Sequence, residues 1–204
     1  MDDRAASAER GLDALPEIVR ELGGKKVLLV TGPSARHAER VKALLAPIEV
    51  ALFTGARRHV PEEVVAEATR ALETSGADVL VTLGGGSTVG LGKALRLTHE
   101  LPFIAIPTTY AGSEQTTLYG TTKDGKKTTG RDPRVRPLRV IYDADLMLET
   151  PRALTVTSLM NALAHPIGTL GVGQADAALK ERALRAIAFV FGALEALVVD
   201  AKDL

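Results

Sequence analysis

Two six-residue runs, Lys26 to Thr31 (KVLLVT) and Asp78 to Leu83 (DVLVTL), carry apolar side chains at consecutive rather than alternate positions. A strand with one wet face alternates; a strand that is apolar on both faces must be covered on both. Shorter runs repeat the theme at Glu49 to Phe53, Phe103 to Ile106 and Arg139 to Tyr142. Between them lie segments of helical period. Leu12, Leu15, Ile18, Val19 and Leu22 form one helical face, stopped by Gly23-Gly24. Pro33 to Leu45 is expected as a helix, with proline tolerated in its first turn. Pro61 opens another, with Val64, Val65, Ala68 and Leu72 inward and Ser75-Gly76 at its end. This alternation predicts an α/β fold with a doubly wound, mainly parallel sheet and helices on both faces.

The join after the second long run carries the chemistry. Leu83-Gly84-Gly85-Gly86-Ser87-Thr88 leads into Val89, Leu91, Ala94, Leu95 and Leu97, which recur at helical spacing. A glycine-rich turn from strand to helix gathers bare backbone N–H groups at the positive end of a helix, a phosphate-binding arrangement that needs no cationic side chain. Two regular phosphate patterns fail. A P-loop would place glycine at Ser87 and a hydroxyl after Lys93, where Ala94 stands. The pattern Gly-x-Gly-x-x-Gly, begun at Gly84, meets Val89 where its third glycine belongs.

Ligands of parallel sheets sit outside the carboxyl ends of the strands, where the loops after Thr31, Leu83 and Ile106 emerge. The last of these, Pro107-Thr108-Thr109-Tyr110-Ala111-Gly112-Ser113-Glu114, concentrates hydroxyls and a carboxylate. Lys123-Asp124-Gly125 is a turn signal between Thr116 to Thr122 and Lys126 to Arg131, which predicts a β-hairpin.

Charge and composition narrow the partners. Twenty-five basic residues balance twenty-five acidic ones among 204, so no overall field favours nucleic acid or an anionic membrane. Cysteine is absent, which removes disulfides and thiolate metal sites and fits a cytoplasmic location. Met1-Asp2-Asp3-Arg4 lacks the apolar core of a secretory leader, and no segment is long and apolar enough to span a bilayer.

Four stretches, GGGSTVGLGKA from Gly84, IAIPTTYAGSEQT from Ile104, KDGKKTTGRDPRVRP from Lys123 and VIYDADLMLETP from Val140, follow the order and spacing of the maleylacetate reductases. The chain therefore resembles that branch of the iron-containing alcohol dehydrogenase superfamily from about Lys26 to His165. The resemblance implies a Rossmann-like domain binding NAD(H) or NADP(H). On it, Gly85, Gly86, Ser87 and Thr88 match the loop that cradles the pyrophosphate. Thr108 and Thr109 match residues near the nucleotide, and Thr117 and Lys127 fall at positions also used around the cofactor. Gly32 and Ser34 leave no acidic residue after the first long strand to grip a ribose hydroxyl, which admits NADPH.

Where the superfamily has Asp-x-x-x-His for metal, this chain has Asn161 to His165. Both side chains share one helical face, but an amide replaces the carboxylate and no histidine follows His165, so no metal is expected. Asn161 and His165 are the candidates for the catalytic position. In place of the family's all-helical second domain, a turn with Gly168, Gly171 and Gly173 is expected, then one amphipathic helix from Ala175 to Ala201. With Phe189 and Phe191, that helix is expected to be largely buried, on its own sheet or against a second copy in a homodimer. At the other end, a charged helical segment is expected where the family begins with a strand. The expected division is a dinucleotide-binding domain over 1–165 and a terminal appendage over 166–204. Such ends suggest an excised, redesigned or naturally reduced cofactor domain. The implied reaction is hydride transfer to a small unsaturated keto dicarboxylate; the alternatives are a non-catalytic dinucleotide-binding or structural domain, or a subunit completed by another chain.

Overall fold

A computed structural model describes residues 7–171, 173 and 175–199. Met1 to Arg4, read above as lacking a leader core, lies outside the described residues, as does Ala201. The chain divides into two compact units: Met1–Thr108 with Gly112–Leu148, and Thr109–Ala111 with Glu149–Leu204.

The first unit contains β1 (Ser7–Arg10), α1 (Leu15–Glu21), β2 (Lys26–Thr31), α2 (Ala38–Leu45) and β3 (Glu49–Phe53). It continues with α3 (Glu62–Ser75), β4 (Val79–Gly84), α4 (Gly86–Arg96) and β5 (Phe103–Pro107). The hairpin strands β6 (Leu118–Lys123) and β7 (Lys126–Arg131), then β8 (Arg139–Tyr142) and α5 (Ala144–Leu148), complete it. Six strands form one sheet in the order β1-β8-β5-β4-β2-β3, and every pairing in it is parallel.

The consecutive apolar positions of the long strands are explained by two cores, one on each face. Val27, Leu29, Val79, Val81, Ile104 and Ile106 meet α1 and α2 through Ile18, Val19, Val41 and Leu45. The alternate residues Leu28, Val30, Leu80, Phe103 and Ala105 meet α3 and α4 through Val64, Leu72, Val89 and Leu95. Each fully buried side chain of this size contributes about 1.5–3 kcal/mol. The doubly wound, Rossmann-like sheet is thus present.

Two expectations within this unit are corrected. The N-terminal segment is the edge strand β1, not a helix: Ser7 to Arg10 pair in parallel register with Arg139 to Tyr142. A four-residue strand with two charges has no hydrophobic signature, and its partner lies at the far end of the unit. The helix expected from Pro33 begins only at Ala38, because Ala35 (φ 47°) and His37 (φ 64°) take left-handed conformations that no right-handed helix accepts. The hairpin forms as expected, with Asp124 (φ 48°) and Gly125 (φ 73°) both left-handed in its turn, as the Asp-Gly pair favours.

The second unit is built on α6 (Arg152–Gly171) and α7 (Ala177–Val199). Arg152, opening α6, donates to the Leu197 carbonyl near the end of α7, so the two run antiparallel. The turn expected from Gly168 is instead helical: α6 continues through Pro166 and Gly168 to Gly171. Pro166 removes one backbone bond, but packing against α7 carries the helix past it. Within this unit α7 keeps much of its apolar surface exposed, the surface expected to meet the sheet or a second copy. Ala183 is covered, whereas Phe189 is 79% and Phe191 50% exposed, since α6 covers α7 along a single side within the unit.

Candidate functional site

The strand order reverses between β2 and β4. From β2 the chain steps outward to β3, and from β4 it steps the other way to β5 and β8. At such a switch point the two flanking loops part and leave a crevice at the carboxyl ends of the strands. The glycine turn fills that position, running from the end of β4 into α4.

Gly84 sits at φ 148°, where a Cβ would lie 2.6 Å from Thr88 Oγ1, so the turn depends on glycine there. Gly85 caps the helix without any side-chain hydrogen bond, and no acidic residue occupies the first turn. The first helical bonds close from Thr88 N and Val89 N to the Gly85 carbonyl at 2.9 and 3.2 Å. The N–H groups of Gly86 and Ser87 precede them, on half-buried residues at the positive end of α4. The Thr88 side chain itself is buried beneath Gly84, so it shapes the turn from within. Two more glycines set the helix tightly on its neighbours: a Cβ on Gly92 would reach Thr82 Cγ2 at 2.6 Å and Phe103 Cζ at 2.7 Å, and one on Gly90 would reach Val60 Cγ2 at 2.9 Å.

Thr108 joins the turn directly, its N–H donating to the Gly84 carbonyl at 3.1 Å. Thr117 is half-buried just ahead of β6, where its carbonyl accepts from Asp132 N at 3.0 Å. Lys127 is exposed on β7, opposite Thr122. Thr109 is buried and belongs to the second unit. Asn161 and His165 also lie in that unit, both exposed and one turn apart on α6.

A polar cluster behind the glycine turn escaped the sequence reading. Lys93, on α4, is fully buried and donates to the Thr116 carbonyl (2.8 Å), Thr116 Oγ1 (3.0 Å) and the Leu118 carbonyl (2.7 Å). Burial lowers its pKa to about 8, against the opposing charge of Glu114. Glu114 is buried too, and accepts from the Tyr142 hydroxyl at 3.0 Å, while that hydroxyl accepts from Gln115 Nε2 at 3.0 Å. Burial, with the Glu114 charge acting the same way and the Gln115 bond against it, pushes the Tyr142 phenol up to about 12. One signal was available: Lys93 falls four residues after Val89, on the inward face of α4.

The donors present do not fit an iron centre. Asn161 and His165 offer one amide and one imidazole, and among the described residues no group of three or more His, Cys, Asp or Glu is placed to hold a metal. Among the same residues no helix is long and apolar enough to cross a membrane.

Residues 4–144 match the iron-containing alcohol dehydrogenase family. The chain is 40% identical over 193 residues to maleylacetate reductase 1 of Cupriavidus pinatubonensis, covering 93% of this chain and 54% of that protein. It is 42% identical over 198 residues to the maleylacetate reductase of Burkholderia cepacia, covering 95% and 56%. The chain thus spans about half the length of the curated relatives it matches. The crystal structure of maleylacetate reductase from Rhizobium sp. superposes with a TM-score of 0.80 at 40% identity, over 88% of this chain and 53% of that one. A reversal of strand order between β2 and β4, a glycine turn that tolerates no Cβ at Gly84 and a match over most of the chain lead to one assignment: this chain belongs to the iron-containing alcohol dehydrogenase family.

Proposed function

We propose that the chain is the dinucleotide-binding part of an NAD(P)H-dependent reductase whose substrate is a small unsaturated keto dicarboxylate. The observation that carries this reading is the uncapped, acid-free N-terminus of α4 at the switch point of the sheet. Such a terminus favours a pyrophosphate through the N–H groups of Gly86 and Ser87 and the helix dipole. Bound there, a reduced nicotinamide supplies a hydride.

The protein's part is to hold and orient. Gly84 and Thr88 keep the turn open to the pyrophosphate. Thr108 is bonded to the same turn, and Thr109, Thr117 and Lys127 are assigned to the nucleotide's surroundings. Asn161 and His165 are assigned to the reaction rather than to a metal, because an amide and a single imidazole make a poor cation site. The substrate class follows the maleylacetate reductases that the chain matches.

Fluorescence titration of NADH and of NADPH tests the reading. Saturable binding of at least one is expected, with a loss of tenfold or more in Gly86→Val while the far-ultraviolet circular dichroism stays unchanged. A folded wild-type chain that binds neither dinucleotide refutes it.

A further inference from the structure

The first turn of α4 is taken up by the proposed pyrophosphate site, and the buried lysine of that helix lies outside it. A lysine without surface exposure is uncommon unless paired or hydrogen-bonded. Lys93 uses all three of its ammonium donors, and every acceptor belongs to Thr116 or Leu118. Those two residues bracket Thr117, one of the nucleotide candidates, at the root of the β6–β7 hairpin. An apolar side chain of equal length would fill the space, but would leave two carbonyls and a hydroxyl without their donor.

The same hairpin is fastened a second time, farther along. Thr122 N donates to the Val60 carbonyl at 3.0 Å, and Thr122 Oγ1 to the His59 carbonyl at 2.8 Å. His59 (φ 66°) and Val60 (φ 49°) both hold left-handed conformations at this junction. For a β-branched residue such as Val60 that is a strained state, maintained only where the surroundings fix it. Val60 Cγ2 in turn stands against α4, 2.9 Å from where a Cβ on Gly90 would lie. The hairpin is therefore tied to the body of α4 at both points, directly through Lys93 and by way of Val60.

We propose that Lys93 is a positioning residue for the dinucleotide: by clasping Thr116 and Leu118 to α4, it holds Thr117 and the β6–β7 hairpin in fixed register with the Gly85–Thr88 turn. The proposal rests on the reading that this turn holds the pyrophosphate. Lys93 then acts through Thr117 and the hairpin and does not itself touch the ligand.

Lys93→Met keeps the length and the apolar stem while removing the donors. Hydrogen exchange of the free protein is expected to accelerate tenfold or more across Leu118–Arg131, with exchange in β2 and β4 unchanged. The dissociation constant for NADH or NADPH is expected to rise about tenfold in the same variant. Thr116→Val removes one of the three Lys93 acceptors, along with the local bond from Thr116 Oγ1 to the Ser113 carbonyl at 3.1 Å; a smaller change of the same pattern is expected, and it carries the test if Lys93→Met does not fold. Unchanged hairpin exchange in the folded variants overturns the clasp. Faster exchange with unchanged affinity overturns the link to the ligand. A wild-type protein that binds neither dinucleotide overturns the functional reading itself, and is told apart because it needs no variant.

Discussion

Replacing Gly84 by alanine adds one methyl group to the tightest point of the glycine turn. The Cβ would lie 2.6 Å from Thr88 Oγ1 and 3.2 Å from Thr88 Cβ, and Thr88 is buried, with little room to retreat. Overpacking of this kind costs about 1–3 kcal/mol. The backbone adds its own share, because φ at 148° disfavours any residue with a side chain, and such strain costs about 1–3 kcal/mol. The total is roughly 2–6 kcal/mol, and each kcal/mol lowers the melting midpoint of a chain this size by about 2–4 °C. Thermal unfolding followed by far-ultraviolet circular dichroism reads it. The two contributions separate in a cycle with Thr88→Ala, which removes Oγ1 and Cγ2 but not the backbone strain. The double variant should be less destabilised than the two single variants added together, by about 1–2 kcal/mol. A Gly84→Ala protein within about 0.5 kcal/mol of wild type, the range of an ordinary surface change, refutes the geometry. Strict additivity in the cycle refutes the Thr88 contact.

Asp143 accepts from Leu12 N at 2.8 Å and Leu146 N at 3.1 Å, so Asp143→Ala should destabilise by about 1.5–3 kcal/mol in urea unfolding. Burial alone would raise the Asp143 pKa, but the two backbone donors and the Arg40 charge outweigh it and leave the carboxyl below its usual value. Its stabilisation is therefore present above the unfolded pKa and lost as pH falls through the folded one; acid unfolding of Asp143→Asn should show a weaker dependence. Lys93, also lowered, has a linkage of the same sign in a more alkaline window: between its folded pKa of about 8 and the ordinary lysine value of 10.5 the unfolded chain binds more protons, so stability should rise with pH across that window. The slope is at most about 1.4 kcal/mol per pH unit, less where water screens the ammonium, and Lys93→Met should flatten it in urea titrations. Protein purified without chelator should carry no stoichiometric iron or zinc by elemental analysis; near-equimolar metal that resists dialysis would restore a metal role for Asn161 and His165.

The central strands and α3 were legible because two-sided burial writes itself as consecutive apolar residues, and one-sided burial as a period of 3.6. The glycine turn was legible for a related reason: only glycine accepts the backbone that Gly84 adopts. What escaped depends on partners distant in sequence. Ser7 to Arg10 becomes a strand because β8 offers an edge, a fact that no local pattern holds. Lys93 could be placed on the inward face of α4, but not matched to the carbonyls of Thr116 and Leu118, since backbone acceptors leave no trace in residue type. The late start of α2 was hidden similarly, by the left-handed Ala35 and His37. For α7 two phenylalanines imply a preference for burial that the described residues of its own unit leave unmet, with Phe189 79% exposed.

The parallel edge between β1 and β8 has a consequence during synthesis. Leu12 N and the Asp143 carboxylate, which close that edge, are 131 residues apart. At roughly 5–20 residues per second, the ribosome delivers the second partner some 7–26 s after the first. The first long strands and their covering helices can collapse in that time, because β2 and β3 are close in sequence and β4 follows directly. Among the described strands, β1 has no such neighbour. It must wait as an unpaired edge until β8 emerges, which makes the newborn chain, rather than the finished one, the form most exposed to strand exchange with other molecules.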